Sequence, residues 1–313
     1  MYYIEKTDKP SFLEQKLYKI KIIDDKIFLP IRQENLIKQE NPIKQEMPNN
    51  KEKNNNEMMQ EKNKTNNISE KIQTKLAEKT NKFLQKSNSN KLVLSREIQK
   101  LNIFVNKLHT YNYNIVNGEK LFEALVCITL EYICQKSNIQ KEETKISVLV
   151  NDLSDYTLQN IKQIATKYKT LNIVSNHLEK FKKIENGIYD ESGLMITVSN
   201  NKKKSLIKSD IIVNIDFPEE LLNKYNIKDD AIILNIFNNI RIDKKRFNGL
   251  IINDYEISAK DNYLNDIDSK KYYTKELYEA QIYNGIPYME LMKKIKNDRV
   301  QIKELYGLNG KVF

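Results

Sequence analysis

The sequence predicts an α/β protein with a mostly parallel sheet in its carboxy-terminal half and a small α/β domain before it. Two observations carry this prediction. Short apolar runs recur between residues 146 and 252, separated by helical or loop segments, which is typical of parallel strands joined by crossover helices. Residues 33–90 are rich in asparagine and lysine, and we expect them to be a disordered, low-complexity linker that interrupts the smaller domain.

Residues 1–32 are predicted to form the first piece of the amino-terminal domain. Their alternating runs at 18–22 and 27–29 flank a turn, which predicts a β-hairpin. Two or three short strands are not stable alone, so they must pack on a later part of the chain. We expect residues 91–145, which carry two predicted helices, to complete this domain.

The linker begins with three near-copies of one hexapeptide, which start at Ile31, Ile37 and Ile43. A six-residue period that includes proline fits neither a helix nor an alternating strand. Toward the end of the linker, apolar residues recur at helical spacing and predict an amphipathic helix over residues 68–86. This helix is either a transient structure or a docking helix for the groove of a partner.

The only two cysteines, Cys127 and Cys134, lie on a helix predicted over residues 119–137. Seven residues of helix separate them by about 10 Å, which is too far for a disulfide bond. They are expected to be reduced residues of the core. The chain has only two histidines besides, and no metal-ligand cluster is predicted.

Residues 146–258 are predicted to form a Rossmann-like domain. Its first strand, helix and second strand, over residues 146–174, have the length of one βαβ unit. Later strands are predicted at 195–198, 211–215, 232–236 and 250–252. The remaining residues, 259–313, are rich in tyrosine and predicted to be helical, with a helix that returns to brace the amino-terminal domain.

Two stretches of the predicted Rossmann-like domain resemble shikimate dehydrogenases. Residues 174–180, Val-Ser-Asn-His-Leu-Glu-Lys, resemble the Asn-Arg-Thr-x-x-Lys stretch after the second strand of that family. Residues 209–218, Ser-Asp-Ile-Ile-Val-Asn-Ile-Asp-Phe-Pro, resemble a strand of that family and of the glutamyl-tRNA reductases. The resemblance covers residues 146–255 and implies an NAD(P)-binding domain.

The chain departs from that family where a glycine-rich turn would bind the cofactor. Residues 151–156 contain no glycine but two carboxylates, Asp152 and Asp155. Glycine lets the backbone approach the pyrophosphate, whereas a carboxylate repels it. We expect Asp155 to be the N-cap of the next helix, and His177 replaces the arginine that would meet a 2′-phosphate. NAD(P) is therefore possible but disfavoured, and no cofactor is assigned.

Polar residues follow the successive predicted strands, at the carboxyl ends where sheets of this type bind their ligands. Amide and carboxylate groups there suit a small polar ligand. Alternatively, asparagine and aspartate occupy these loops only because they stabilise turns. No catalytic residue is predicted, and the family's catalytic lysine and aspartate have no match before residue 146. The candidate ligand-binding residues are Asn151, Asp152, Asn176, His177, Asn200 and Asp216.

The formal net charge of +10 has its largest share in residues 31–90, and elsewhere lysines alternate with acidic residues. A nucleic-acid interface needs basic residues concentrated on one side, so no specific nucleic-acid binding is predicted. No apolar run is long enough to span a membrane, and the amino terminus lacks the apolar core of a secretory signal. We therefore expect a cytoplasmic protein without a membrane partner.

Three functions are compatible with the sequence, and the net charge is the only feature that favours the third, a nucleic-acid binder. The missing glycine turn favours a non-catalytic Rossmann-like protein that binds a small polar ligand or a protein partner. The two stretches that resemble shikimate dehydrogenase favour a divergent NAD(P)-dependent oxidoreductase instead. The sequence alone does not decide whether the protein is an enzyme.

Overall fold

The structure is a computed structural model with two compact units. It describes residues 1–8, 10–11, 17, 19–31, 55–87, 89–260, 270–282 and 285–313. Unit 1 comprises Met1–Asn117 and Asp266–Ala280, and unit 2 comprises Gly118–Asn265 and Gln281–Phe313. The boundary at residue 118 differs from the one expected at residue 146, so the helices after Gly118 belong with the larger unit.

Unit 1 contains a five-stranded sheet. Its strands are β1 (Tyr2–Lys6), β2 (Lys21–Ile23), β3 (Lys26–Leu29), β4 (Lys91–Leu94) and β5 (Asn114–Ile115), in the order β2-β3-β1-β4-β5. β1 pairs in parallel with β3 and β4, and β4 pairs in parallel with β5. β2 and β3 form the predicted hairpin, whose turn places Asp24 at a positive φ of 53°. Aspartate tolerates this conformation better than most residues.

Helix α1 (Asn55–Leu84) corrects the extent of the predicted linker. Residues 33–54 lie outside the described residues. The carboxy-terminal half of α1 instead belongs to the core of unit 1, where Leu76, Ala77 and Leu84 are buried. The apolar stripe that predicted a transient or docking helix is therefore covered within its own unit, because it packs on the sheet and on a neighbouring helix.

A polar contact also joins α1 to the rest of unit 1. Helices α2 (Arg96–Gln99) and α3 (Asn102–Thr110) follow β4, and Leu101 before α3 has no capping side chain. Gln73 Oε1 of α1 accepts hydrogen bonds from the backbone N–H groups of Ile103 and Phe104, at 3.1 and 3.2 Å. α1 thus supplies the cap that α3 lacks locally.

Unit 2 contains a six-stranded sheet in which every pair is parallel. Each strand begins and ends within two residues of the apolar run that predicted it. The strands are β6 (Lys145–Leu149), β7 (Thr170–Val174), β8 (Thr197–Ser199), β9 (Ile211–Asn214), β10 (Ile232–Asn235) and β11 (Leu250–Ile252). Their spatial order is β11-β10-β9-β6-β7-β8, which is the strand order of a Rossmann sheet. The predicted fold class is confirmed.

Two helices precede the first parallel strand, and helices connect β6 to β7, β7 to β8 and β9 to β10. The helix predicted over residues 119–137 is two helices, because Leu125 between them leaves helical geometry, with φ −87° and ψ 5°. Cys127 and Cys134 are buried and free, as predicted. Burial raises the pKa of the Cys127 thiol to about 12, so it is protonated at neutral pH. The helices of this part are α4 (Glu119–Ala124), α5 (Val126–Lys136), α6 (Asp155–Lys167), α7 (Leu178–Ser192) and α8 (Glu219–Leu222).

The carboxy-terminal part is only partly helical, which corrects the prediction for residues 259–313. Its elements are β12 (Asp254–Ser258), α9 (Thr274–Ile282), α10 (Tyr288–Asn297), β13 (Gln301–Gly307) and β14 (Gly310–Lys311). The three strands form an antiparallel sheet, in which Ile302 and Leu305 of β13 are buried. The chain returns to unit 1 over Asp266–Ala280. In the described part of the chain, no helix is long and apolar enough to cross a membrane.

Candidate functional site

The candidate residues lie in the loops at the carboxyl ends of the six-stranded sheet. Asn151 and Asp152 follow β6, Asn176 and His177 follow β7, Asn200 follows β8, and Asp216 follows β9. β6 and β9 are neighbours in the sheet, but their loops lead to opposite sides of the strand order. This reversal is the point at which Rossmann sheets open a crevice for ligands.

The carboxylate of Asp216 occupies the loop between β6 and α6. It accepts hydrogen bonds from the backbone N–H of Asn151, at 2.8 Å to each oxygen, and from that of Asp152, at 2.7 Å. In a dinucleotide-binding sheet the corresponding N–H groups point at the pyrophosphate. Here the N–H groups of Asn151 and Asp152 bond to a side-chain carboxylate of the protein.

Asp216 is half-buried, and its environment acts on its pKa in both directions. Burial is the largest effect and raises the pKa of the carboxyl group above the ordinary aspartate value. The backbone N–H groups of Asp152 and Asn151 oppose it, because they stabilise the carboxylate form. The negative charge of Asp152 adds a further upward effect, and the ammonium group of Lys180 a downward one.

Helix α6 begins at a serine cap. Ser154 has extended backbone geometry, and its Oγ accepts a hydrogen bond from the N–H of Thr157 at 2.9 Å. Asp155, which the sequence suggested as the N-cap, is the first residue of the helix. The correction has a simple cause, since the residue three positions before the bonded N–H supplies the cap and serine is as good a cap as aspartate.

A second carboxylate lies at the start of α6. Glu123 of α4 is only 8% exposed, and its Oε1 accepts hydrogen bonds from Ser154 Oγ at 2.5 Å and Thr157 Oγ1 at 2.8 Å. Asn160 Nδ2 donates to the Glu123 carbonyl oxygen at 2.6 Å. The positive end of the helix dipole is thus already close to a buried anion of unit 2 itself.

Beside these filled positions there is an open pocket of about 600 Å³, lined by Asp152, Asn176, His177, Leu178, Glu179 and Lys180. Asn151 Oδ1 accepts a hydrogen bond from the Asn176 N–H at 3.0 Å and so joins the loops after β6 and β7 beside the pocket. Lys180 Nζ lies 3.4 Å from Asp152 Oδ1, at the mouth. The pocket therefore offers groups of both charges and amide groups.

Five of the six candidate residues are brought together, in two different roles. Asp152, Asn176 and His177 line the pocket, whereas Asn151 and Asp216 hold the loops around it. Asn200 is exposed and does not line the pocket. Beside it, Asn201 Oδ1 accepts hydrogen bonds from the N–H groups of Lys203 and Lys204, which is the turn-stabilising role that asparagine has in loops.

An amide network that the sequence analysis missed lies at the other strand ends. Asn214 Nδ2 donates to Asn235 Oδ1 at 2.8 Å, and Asn235 Nδ2 donates to Asn253 Oδ1 at 3.1 Å. Asn253 Oδ1 also accepts from the Ile240 N–H at 3.0 Å. A signal was available, because Asn214 and Asn235 each end a strand with the same sequence, Ile-Ile-x-Asn.

The described residues hold no group of three or more histidine, cysteine, aspartate or glutamate side chains that is arranged to bind a metal ion. The sequence matches no protein-family model and no curated protein. The similarity to shikimate dehydrogenases therefore rests on the two short stretches alone.

Proposed function

We propose that this protein is a Rossmann-type binding protein without a dinucleotide cofactor, and that it binds a small polar ligand at the carboxyl ends of β6 and β7. The observation that carries the proposal is the carboxylate of Asp216, which accepts the N–H groups of Asn151 and Asp152. A pyrophosphate would have to displace this carboxylate and would then remain close to it.

Electrostatics argue against such a displacement. Two like charges about 4 Å apart repel by about 4 kcal/mol at an effective dielectric constant near 20. Glu123 and the exposed Asp152 add negative charge around the same helix start. No glycine in the loop lets the backbone move closer to compensate.

The adjacent pocket suits a ligand with both hydrogen-bond donors and acceptors. Lys180 can meet an anionic or carbonyl group, Asp152 can meet an amine or hydroxyl, and the amide of Asn176 can meet either. The ligand is held on two loops that Asn151 already ties together. These contacts are sufficient to bind a ligand and include no assigned catalytic group, so the proposed role is binding.

Calorimetric titration with NADH and NADPH tests the cofactor part of the proposal. We expect no binding to the unmodified protein and weak binding to an Asp216→Ala variant, in which the two N–H groups are freed. Asp210→Ala is the matched control, because Asp210 also accepts a backbone N–H, from Lys145 at 3.0 Å, but at the amino end of β9. It should bind neither nucleotide.

Native mass spectrometry of the purified protein tests the ligand part. We expect a bound small molecule in the unmodified protein and its loss in a Lys180→Ala variant, with Lys203→Ala as an exposed control outside the pocket. A ligand that survives the Lys180 substitution unchanged would place the binding site elsewhere.

The second candidate is a divergent NAD(P)-dependent oxidoreductase. The strand order of unit 2 favours it, because this order is the one that binds dinucleotides. Micromolar binding of NADH or NADPH by the unmodified protein would move this candidate to first place.

A further inference from the structure

A second pocket lies at the opposite end of the unit 2 sheet. It is formed by one face of α5, by the loop that leads into the amino end of β6, and by the start of β13. Its volume is about 800 Å³, within the range of sites for small molecules. It shares no residue with the pocket of the proposed function.

One wall of this amino-end pocket is apolar. Ile128 and Tyr132 lie one helical turn apart on α5, and Ile139 and Ile302 come from the loop and from β13. Tyr132 is fixed in place, because its hydroxyl donates a hydrogen bond to the Lys303 carbonyl oxygen at 3.1 Å. The wall is therefore held by a contact that does not depend on a ligand.

The charged groups of the pocket leave one cation unpaired. Glu131 is its only acidic lining residue among those described, and that carboxylate is already engaged, at 2.7 Å by Lys167 and at 4.0 Å by Lys141. Lys136 Nζ lies 5.4 Å from the centre of the Tyr132 ring. Within the described part of the chain, no carboxylate lies within ion-pair distance of Lys136.

The remaining polar groups of the pocket are neutral. Three glutamine amides, those of Gln135, Gln140 and Gln301, stand beside the apolar wall. Each amide can donate a hydrogen bond to an oxygen of an anionic group without adding charge. The amide donors and the ammonium group of Lys136 thus all favour the binding of an anionic group.

We propose that the amino-end pocket binds a small organic anion with an apolar body. The anionic group meets Lys136 and the glutamine amides, and the apolar body lies against Ile128, Ile139 and Ile302. This inference is independent of the proposed function, since it concerns other residues at the other end of the sheet.

Methyl NMR of the full chain tests it with three probes that share one alkyl chain: octanoate, octanol and octylamine, which is cationic at neutral pH. We expect octanoate to shift the methyl signals of the three isoleucines with saturation, and to bind more tightly than octanol. Octylamine should bind most weakly, because Lys136 repels it. Equal binding of octanoate and octanol, or shifts at other isoleucines only, would overturn the proposal.

A charge reversal locates the anionic group. Lys136→Glu should weaken octanoate binding by about fivefold or more and should strengthen octylamine binding. Lys136 is exposed, so the variant is expected to fold, and a thermal melt checks this. Lys203→Glu is the matched control and should leave the affinity for octanoate unchanged. Unaltered octanoate binding in a folded Lys136→Glu variant would contradict the inference.

Discussion

The two halves of the unit 2 sheet use asparagine at their carboxyl ends in opposite ways. On β9 and β10 the terminal residues Asn214 and Asn235 are fully buried and bonded to each other. In the loops after β7 and β8, two residues and one residue beyond the strand ends, Asn176 and Asn200 are exposed. The residue type and the edge of the sheet are the same, so neither is by itself a sign of a binding site. What separates the halves is the loop after each strand. Asn214 Nδ2 donates to the Phe217 carbonyl oxygen and Asn235 Nδ2 to the Phe237 carbonyl oxygen, so these two loops turn back over the ends of their own strands.

The largest effect is expected in the half of the sheet that contains β9, β10 and β11, where a glycine lies close to the neighbouring strand. A Cβ added at Gly249, just before β11, would lie 2.0 Å from the carbonyl oxygen of Ala231. Gly249→Ala must therefore push β10 and β11 apart and should lower the free energy of unfolding by about 3 kcal/mol, as measured by urea denaturation.

Gly187→Ala is the control for that substitution, in the half of the sheet that contains β7 and β8. Gly187 lies in α7 and has no atom within 4 Å of an added Cβ. Alanine in a helix is favoured over glycine, so this variant should be as stable as the unmodified protein or more stable, by up to about 1 kcal/mol. Equal stability of both alanine variants would contradict the described pairing of β10 and β11.

The next effect is the difference in stability between variants at a buried and at an exposed asparagine. Asn235→Ala removes the amide that bonds to Asn214 and Asn253, and it leaves the buried Asn214 and the half-buried Asn253 without this partner. We expect a loss of about 2 kcal/mol in the free energy of unfolding. Asn200→Ala removes an exposed amide and should change stability by less than about 0.5 kcal/mol. Similar losses in the two variants would erase the distinction between the halves.

The smallest effect is the pH dependence of stability that Asp216 contributes. Because burial raises the pKa of Asp216, the native state holds this proton at pH values where the unfolded state has lost it. Stability from Asp216 is therefore greatest in acid and falls as pH rises past the ordinary aspartate pKa. The stability of the unmodified protein relative to Asp216→Asn should thus be higher near about pH 3.5 than near about pH 6.

Thermal melts of both proteins across this range measure the difference. Asp210→Asn should show the opposite sign, because the hydrogen bond from Lys228, among other contacts, lowers the pKa of Asp210 despite its burial. The contrary result is a stability of the unmodified protein relative to Asp216→Asn that rises with pH, as expected for Asp210→Asn. It would mean that hydrogen bonding to the N–H groups of Asn151 and Asp152 outweighs burial at Asp216.

The strands of unit 2 could be predicted from sequence because strands buried on both faces are nearly continuous apolar runs, as in Ile211–Asn214. The packing of α1 could not, since its few apolar residues stand in a segment dominated by asparagine and lysine, and only the fold brings Leu76 to a partner. The role of Asp216 was also hidden. Its partners are backbone N–H groups, which every residue except proline has and which therefore leave no trace in the sequence.

The carboxylate of Asp216 has a further consequence for how the protein depends on its surroundings. Many proteins with this sheet gain stability when their cofactor binds, because binding to the native state draws the equilibrium toward it. Here the N–H groups of Asn151 and Asp152 already bond to the side chain of Asp216, so these hydrogen bonds do not depend on a cofactor. On the function proposed above, the folded fraction of this protein would therefore not change with the concentration of NAD(P).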